Sequence, residues 1–231
     1  MARILLVDDE SAIVRALGIG LRARGHELDT AAGGVQGLAA AVDTRPDVVI
    51  LDLGLPDIDG LEVCRRLRAF SPVPIVVLSA HGEEARKVEA LDAGADDFVT
   101  KPFGMAELAA RIRVALRHGR ARGGGDAGPV VVVGRLRMDL AGRTAQVGAA
   151  RLQLTATEYA MLAYLAQHAG RVVTHELLLR QVWGGRYGAD PHYLRVYASR
   201  LRRKLGPEAA GLLVTHPGIG YELTRPGVGS D

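Results

Sequence analysis

The sequence predicts an α/β domain with a parallel sheet, followed by a linker and a smaller α+β domain. Up to residue 119, short apolar segments alternate with amphipathic ones; three consecutive glycines follow, and later come three helical segments and a hairpin. The charge balance changes at the same place: residues 1–120 hold 15 Lys and Arg against 18 Asp and Glu, whereas residues 121–231 hold 14 against 8. The basic second half favours contact with a polyanion. These features predict a first domain at 1–119, a linker at 120–129, a second domain at 130–226 and a tail at 227–231.

Five apolar segments of strand length, each followed by a segment with helical periodicity, make up the first domain. Apolar strands that alternate with helices are typical of a parallel sheet covered by helices on both faces. We therefore predict a doubly wound, five-stranded, flavodoxin-like domain, whose ligands bind beyond the carboxyl ends of the strands. The predicted strands are Arg3–Val7, Glu27–Thr30, Asp47–Leu51, Pro74–Leu78 and Asp97–Val99, and the predicted helices are Ser11–Arg24, Val35–Thr44, Leu61–Phe70, Glu83–Ala93 and Met105–Arg117.

The second domain begins with short strands and continues with three helices and a hairpin. Thr155 and Thr174 are suitable N-caps for the first two helices, and Asp190 before Pro191 is a strong start signal for the third. Three helices followed by a hairpin with a glycine turn are typical of a winged helix. The predicted strands are Val130–Val133, Leu136–Leu140, Thr144–Val147 and Arg151–Leu154, the helices are Ala156–His168, His175–Trp183 and Pro191–Leu205, and the hairpin pairs Leu212–His216 with Tyr221–Thr224.

Composition and apolar runs narrow the class of protein. With 48% hydrophobic and 24% charged residues, the chain has the composition of an ordinary globular protein. Its longest apolar runs, such as Val48–Leu51 and Val130–Val133, are far shorter than a bilayer requires, so we predict no membrane insertion. The single cysteine, Cys64, excludes an internal disulfide framework, and we recognise no export leader. We expect a cytoplasmic protein.

Polar side chains follow four of the predicted strands of the first domain. Asp8 and Asp9 follow the first strand, Asp52 the third, Ser79 the fourth and Lys101 the fifth, so all five converge at one edge of the sheet. Three neighbouring carboxylates without His or Cys favour Mg²⁺. A carboxylate on the central strand is suited to attack a phosphoryl group, while the ammonium and hydroxyl groups neutralise its oxygens. We predict an aspartyl phosphate at Asp52.

These motifs resemble the receiver domains of two-component response regulators. The resemblance covers 1–119 and rests on Asp8-Asp9, LDLGLPDIDG around Asp52, VLSA around Ser79 and GADDFVTKPF around Lys101. It implies that a sensor histidine kinase donates the phosphate, and that the only chemistry is phosphotransfer to the protein's own aspartate followed by slow self-dephosphorylation. The implied roles are phosphoacceptor for Asp52, Mg²⁺ ligation by Asp8, Asp9, Asp52 and the backbone carbonyl of Gly54, and phosphate stabilisation or switching by Ser79, Phe98 and Lys101.

Within the response regulators, the chain resembles the OmpR/PhoB subfamily. That resemblance implies a homodimer formed on activation through the fourth helix, fifth strand and fifth helix, in which two-fold symmetry makes each ion pair occur twice. It also implies that a loop at 184–189 contacts RNA polymerase. Several stretches resemble regulators of a high-affinity potassium-uptake operon, which implies a membrane sensor kinase as donor. The implied intermolecular pairs are Lys87–Glu107, Asp97–Arg111 and Asp92–Arg113.

The third helix of the second domain has an apolar back and a basic front. Leu194, Ala198, Leu201 and Leu205 form the predicted buried stripe, and the opposite surface suits the major groove of promoter DNA. Subfamily members often carry an arginine at the wing tip, whereas this chain has His216-Pro217, which argues against minor-groove reading by the wing. The resemblance implies base-facing positions for His192, Tyr193, Val196 and Arg200, phosphate contacts for Arg195, Arg202 and Arg203, and DNA contacts at Ser199 on the same surface and at Thr215, Gly220 and Tyr221 in the wing.

Two other functions fit parts of this pattern. A DNA-binding regulator that ignores phosphorylation would need only the second domain. A phosphatase of the haloacid dehalogenase type also forms an aspartyl phosphate, but its nucleophile precedes the acidic pair, whereas Asp8 and Asp9 come first here. The second aspartate such an enzyme needs is also absent, because Gly54 stands two residues after Asp52.

Overall fold

The computed structural model describes residues 1–80, 84–119, 129–184 and 191–225. The chain divides into two compact units, Met1–Arg120 and Ala121–Asp231. Among the described residues, no helix has both the length and the apolar character needed to cross a bilayer. The predicted tail, nearly all of the predicted linker, all but the first residue of the predicted polymerase loop at 184–189, and the side chain of His192 lie outside the described residues.

The first unit is a five-stranded parallel sheet with the strand order β2-β1-β3-β4-β5. The predicted doubly wound α/β fold is confirmed. The third and fifth strands extend further than predicted, so that Asp52 and Lys101 end them. The strands are β1 (Arg3–Val7), β2 (Glu27–Ala31), β3 (Val48–Asp52), β4 (Ile75–Ala80) and β5 (Asp97–Lys101), and the helices are α1 (Ser11–Arg22), α2 (Gly34–Thr44), α3 (Gly60–Phe70), α4 (Glu84–Ala93) and α5 (Met105–Gly119).

Burial on both faces explains the apolar strands of this unit. Ile4 and Ile50 pack with Leu21 of α1 and Ile112 of α5 in one core cluster. On the other face, an added Cβ at Gly37 of α2 would lie 2.8 Å from the Val7 side chain, so this helix approaches β1 closely. The sheet therefore has little exposed surface except at its ends, and the carboxyl ends of all five strands meet at one edge.

The second unit combines a four-stranded antiparallel sheet, three helices and a terminal three-stranded sheet with the order β10-β12-β11. The predicted winged helix is confirmed, with one added strand, β10, which the sequence did not reveal because it has only two residues. The strands are β6 (Val130–Val133), β7 (Leu136–Asp139), β8 (Thr144–Val147), β9 (Ala150–Arg151), β10 (Val173–Thr174), β11 (Leu213–His216) and β12 (Gly220–Leu223), and the helices are α6 (Ala156–Gln167), α7 (His175–Trp183) and α8 (Pro191–Leu205).

Specific local contacts fix the ends of the helices and the wing in this unit. Thr155 caps α6 through the Glu158 amide, and the Glu158 side chain accepts from the Thr155 amide in return, which completes a capping box. The predicted apolar stripe of α8 is fully buried. In the wing, a Cβ added to Gly220 would lie 2.0 Å from the Val173 carbonyl oxygen, so β12 passes too close to β10 for any side chain.

Candidate functional sites

The ends of β1, β3, β4 and β5 bring the predicted acidic residues together. One carboxylate oxygen from each of Asp8, Asp9 and Asp52 lies within 4.8 Å of the others. Asp8 and Asp52 are buried, and Asp9 is exposed. Oxygen ligands at this spacing are the donor set that Mg²⁺ takes in proteins, so the residues fit a hard divalent cation.

The Lys101 ammonium group lies in the middle of this acidic pocket. Its Nζ is 2.8 Å from Asp52 Oδ1, 3.3 Å from Asp8 Oδ2 and 3.0 Å from Glu10 Oε1. Burial lowers the pKa of Lys101, but the hydrogen bonds to Asp52 and Glu10 and the charges of Asp52 and Asp8 outweigh burial and raise the pKa above its usual value. Lys101 is therefore a permanent cation that balances part of the pocket's negative charge.

Glu10 is a member of the pocket that sequence reasoning missed. Its side chain is 58% exposed at the rim, and it contacts Lys101 alone among the charged residues described. The signal was available, because Glu10 directly follows Asp8-Asp9 at the end of β1. Gly54, a predicted Mg²⁺ ligand, donates its amide to Asp52 Oδ2 at 3.0 Å, which places it beside the cluster. Ligation by its carbonyl stays a prediction.

The two predicted switch residues lie on neighbouring strands. Ser79 is buried, and its hydroxyl donates to the Ala80 carbonyl at 3.4 Å. Phe98 is half-buried, and the Lys87 ammonium lies 5.1 Å from the centroid of its ring. A switching movement that turned Phe98 inward would therefore remove a cation–π contact with α4.

The predicted dimer face contains an ion pair within a single chain. Arg111 Nη1 lies 2.9 and 3.0 Å from the two carboxylate oxygens of Asp97, and both side chains are buried. Burial raises the pKa of Asp97, while Arg111 and the Phe98 amide act in the opposite direction. Asp97 and Arg111 were predicted to pair between two chains, but in this structure they pair within one chain. Asp92 and Arg113 are both exposed.

Fewer residues of α8 are exposed than the sequence predicted for its DNA-binding surface. Arg195, Ser199 and Arg203 are exposed at i, i+4 and i+8. Tyr193, Val196 and Arg200 are buried, at 8%, 9% and 4% exposure, so little of their surface is open to a ligand. The reason is that α8 packs against α6 and α7 as well as the segment before the wing, so only one stripe remains for a ligand. Their contact with bases stays a prediction.

Arg200 forms an ion pair with a buried carboxylate of its own domain, that of Glu158. Its Nε lies 3.2 Å from Glu158 Oε1, and Lys204 Nζ lies 2.5 Å from the other oxygen of Glu158. Glu158 itself has no exposed surface. The two cations of α8 therefore hold this helix against α6, because a buried charge must be paired.

The predicted wing residues also divide into exposed and buried ones. Thr215 is exposed, whereas Gly220 and Tyr221 are buried. The DNA contacts at these three positions stay predictions. Arg202, predicted to bind phosphate, donates from Nε and Nη2 to the Leu213 carbonyl at 3.0 and 2.8 Å, and from Nη2 to Thr215 Oγ1 at 2.7 Å. It is half-buried.

Both units match known protein families. Residues 4–113 match the response regulator receiver domain, and residues 149–223 match the C-terminal domain of transcriptional regulatory proteins. With a parallel-sheet domain that carries an acidic pocket and a winged helix that carries a basic helix, the chain belongs to the OmpR/PhoB family of two-component response regulators. Proteins of this family are transcription factors and not, in general, catalytic enzymes.

Relatives of similar length share close to half of the sequence. The chain is 47% identical to the transcriptional regulatory protein KdpE of Mycobacterium tuberculosis (strain H37Rv), and 46% identical to the KDP operon transcriptional regulatory protein KdpE of Escherichia coli (strain K12). Both alignments span 225 residues, 96% of this chain and 99% of each relative. The chain is thus a KdpE-like response regulator, which confirms the predicted resemblance.

Solved structures show the same architecture. A mutant form of RitR matches over 98% of this chain and 100% of its own, with a TM-score of 0.76 and 26% identity. The response regulator DrrB of Thermotoga maritima, an OmpR/PhoB homologue, matches over 97% of this chain and 99% of its own, with a TM-score of 0.52 and 28% identity.

Proposed function

We propose that this protein is a transcription factor activated when a KdpD-like sensor histidine kinase transfers a phosphoryl group to Asp52. It acts in the cytoplasm, where it meets chromosomal DNA, and phosphorylation favours a homodimer that binds promoter DNA and contacts RNA polymerase. The observation that carries the proposal is the cluster of Asp8, Asp9 and Asp52, with the Lys101 Nζ 2.8 Å from Asp52 and 3.3 Å from Asp8. Such a cluster both activates a carboxylate and receives a phosphate.

The chain's own residues account for the transfer. Asp8, Asp9 and Asp52 would hold Mg²⁺, which when bound neutralises charge on the phosphoryl oxygens. The Asp52 carboxylate attacks the phosphorus of a phosphohistidine; the oxygen–phosphorus bond forms while the phosphorus–nitrogen bond breaks, and its electron pair returns to the imidazole. Lys101 then exchanges its carboxylate contact for a phosphoryl oxygen, and the Ser79 hydroxyl donates to another. Water later releases the phosphate slowly.

Phosphorylation of the receiver would increase the population of the conformation whose α4, β5 and α5 face dimerises. When Ser79 moves toward the phosphoryl group it vacates space beside β5, and Phe98 turns inward away from Lys87. The face of α4, β5 and α5 then pairs with a second copy, so phosphorylation shifts a pre-existing equilibrium. In the second domain, Arg195, Ser199 and Arg203 face the major groove, since they form the exposed row of α8.

We further propose that the target genes serve high-affinity potassium uptake. The relative from Escherichia coli is named for the KDP operon and shares 46% identity over nearly the whole chain, which supports the assignment. Genome-wide mapping of bound sites under potassium limitation tests this proposal directly. Binding sites that lie elsewhere, with none upstream of potassium-transport genes, would contradict it.

Replacement of the phosphoacceptor tests the central claim. Beryllofluoride or acetyl phosphate should increase both the dimer fraction and the DNA affinity of the unmodified chain. Asp52→Asn should abolish both responses, because the amide lacks the carboxylate oxygen that accepts the phosphoryl group or binds beryllium. Asp43→Asn, which removes an exposed aspartate of α2, is the matched control and should respond fully. An unmodified chain that binds DNA equally with and without these reagents would instead be a regulator that ignores phosphorylation.

A further inference from the structure

The contacts of Arg202 differ from those of the other arginines on α8. Its guanidinium group makes three hydrogen bonds to β11: two to the Leu213 carbonyl, at 3.0 and 2.8 Å, and one to Thr215 Oγ1, at 2.7 Å. Arg203, the next residue, is exposed. A planar guanidinium fork suits this double contact, because one nitrogen can bridge a carbonyl and a hydroxyl while a second reaches the same carbonyl.

These contacts connect the recognition helix to the wing. Leu213 is the first residue of β11, and in the same strand Thr215 pairs with Tyr221 of β12. On its other side, α8 is held to α6 because Arg200 and Lys204 share the buried Glu158 carboxylate. Charged side chains therefore join α8 to two different elements, to α6 through Glu158 and to β11 through Arg202.

We propose that Arg202 is a positioning residue that holds the wing in register with the recognition helix, and that it is not a phosphate ligand. The proposal rests on the proposed function, because it assumes that α8 binds DNA. The hairpin segment 213–223 contains no Lys or Arg, and Ile219 near its tip is 55% exposed. The wing therefore has no Lys or Arg of its own to pair with phosphates, so any contribution it makes to DNA binding depends on where it is held.

The salt dependence of binding separates a positioning residue from a phosphate ligand. Each phosphate contact that is lost reduces the slope of log K against log salt by about one unit. The probe is a duplex selected from a random-sequence library with the full-length, beryllofluoride-treated chain, and a scrambled duplex of the same length reports non-specific binding. We expect Arg202→Ala to lower affinity for the selected duplex about tenfold, on the scale of one charged hydrogen bond, with an unchanged slope and unchanged non-specific affinity.

Arg203→Ala is the matched comparison. It removes the neighbouring, exposed arginine, and we expect it to weaken both duplexes alike and to reduce the slope by about one unit. Arg202→Lys keeps the charge but not the fork, so it should behave like Arg202→Ala. If lysine restores the affinity, or if Arg202→Ala reduces the slope as Arg203→Ala does, then Arg202 binds phosphate and the proposal is wrong.

A double-mutant cycle and hydrogen exchange test the contact itself. Thr215→Val removes the accepting hydroxyl and Thr215→Ser keeps it, so the first should lose part of the specific affinity and the second should not. Because the Thr215 hydroxyl is expected to act through its hydrogen bond from Arg202, Thr215→Val should have no further effect once Arg202 is replaced by alanine, so the two effects should not add. Without DNA, Arg202→Ala should accelerate amide exchange in β11 and β12. The melting temperature of the second unit, which contains α6–α8, should stay near that of the unmodified chain.

These measurements separate failure of the inference from failure of the proposed function. If the unmodified chain shows no preference for any selected duplex, the assignment of α8 to DNA is wrong, whatever Arg202 does. If it binds specifically but exchange in the wing is unchanged in Arg202→Ala, only the positioning role is overturned. Additive effects of the two substitutions would also overturn it.

Discussion

Glu158 has no exposed surface, yet it bears a charge shared by two residues of α8. A buried carboxylate in this setting is stabilising only while its partners remain, because removal of one partner leaves a charge that is poorly solvated. Arg200 is the more deeply buried of the two partners, and its guanidinium also lies 5.4 Å from the centroid of the Tyr197 ring. Arg200 therefore contributes to the stability of the winged helix.

Replacement of Arg200 should affect folding more than base preference. We expect Arg200→Ala to lower the free energy of unfolding by about 3 kcal/mol, the scale on which a broken buried ion pair destabilises a protein. Urea unfolding, monitored by the fluorescence of Trp183 in the same unit, measures this change. Arg203→Ala removes an exposed arginine of the same helix and should stay within about 0.5 kcal/mol. An unfolding midpoint equal to that of the unmodified chain would contradict the structural role of Arg200.

The buried carboxyl of Asp8 predicts a pH dependence of Mg²⁺ binding. Burial raises the pKa of Asp8, although the Glu10 amide and the Lys101 charge act in the opposite direction. A carboxyl with a raised pKa takes up its proton at a higher pH than an ordinary aspartate, so protons displace the metal ion earlier as the pH falls. Calorimetric titration with Mg²⁺ from neutral to acidic pH should show this early loss. In Asp8→Asn this early loss should be absent, and an identical profile for both proteins would refute the assignment.

At the scale of elements, α4, β5 and α5 form the predicted dimer face. This face contains one buried ion pair within the chain and also exposed charged side chains. Asp97 and Arg111 satisfy each other within one chain, whereas Asp92 and Arg113 remain exposed. Exposed pairs contribute little each, but a two-fold interface contains every pair twice. The exposed residues are therefore better probes of dimerisation, because their replacement leaves the fold of the monomer intact.

Charge reversal tests the predicted Asp92–Arg113 contact. We expect Asp92→Arg or Arg113→Asp alone to weaken the beryllofluoride-activated dimer about thirtyfold, since each change replaces two attractions of about 0.5 kcal/mol by two repulsions of about 0.5 kcal/mol, a total of about 2 kcal/mol. The double variant should recover most of the affinity because the pair is restored with opposite polarity. Sedimentation equilibrium measures the dimerisation constant. If the double variant is as weak as the singles, these two residues do not meet across the interface.

The elements differ in how far the sequence determines them. Apolar runs and helical periodicity were sufficient for β1–β5 and α1–α5, because parallel strands are buried on both faces and each helix buries one stripe. The pocket of Asp8, Asp9, Asp52 and Lys101 also followed from strand order, since strand ends meet at one edge. The face of α8 did not, because periodicity treats every polar residue as exposed and cannot reveal that Glu158 of another helix would bury Arg200.

At the scale of the whole molecule, the proposed function assigns acceptance of phosphate to the first unit and contact with DNA to the second. The excess of basic over acidic residues lies in the second half of the chain, where it favours a polyanion, and the acidic excess lies in the half with the pocket. A single basic helix with three exposed positions reads few base pairs, so the proposed function places two copies on one promoter. In that proposal, dimerisation raises affinity for DNA.

The arrangement of two copies predicts the spacing of the operator. We expect direct-repeat half-sites about one helical turn, roughly 10 bp, apart, because both recognition helices must enter the major groove from the same side. Footprinting on a selected operator measures the spacing. Insertion of half a helical turn between the half-sites should abolish cooperative binding, and insertion of a full turn should restore part of it. Equal binding to the original duplex and to the duplexes with half-turn and full-turn insertions would exclude a fixed spacing between the two bound copies.

The close approach at Gly220, where an added Cβ would lie 2.0 Å from the Val173 carbonyl, also limits how this regulator can be re-engineered. A combinatorial library that seeks new promoter preferences by varying the hairpin must leave that codon unchanged, because even alanine would force apart the strands that carry the loop. Pro217 and Ile219 are exposed at the tip and tolerate diversification. Selections that randomise only these two positions will sample altered recognition, while selections that include Gly220 will mainly recover misfolded chains.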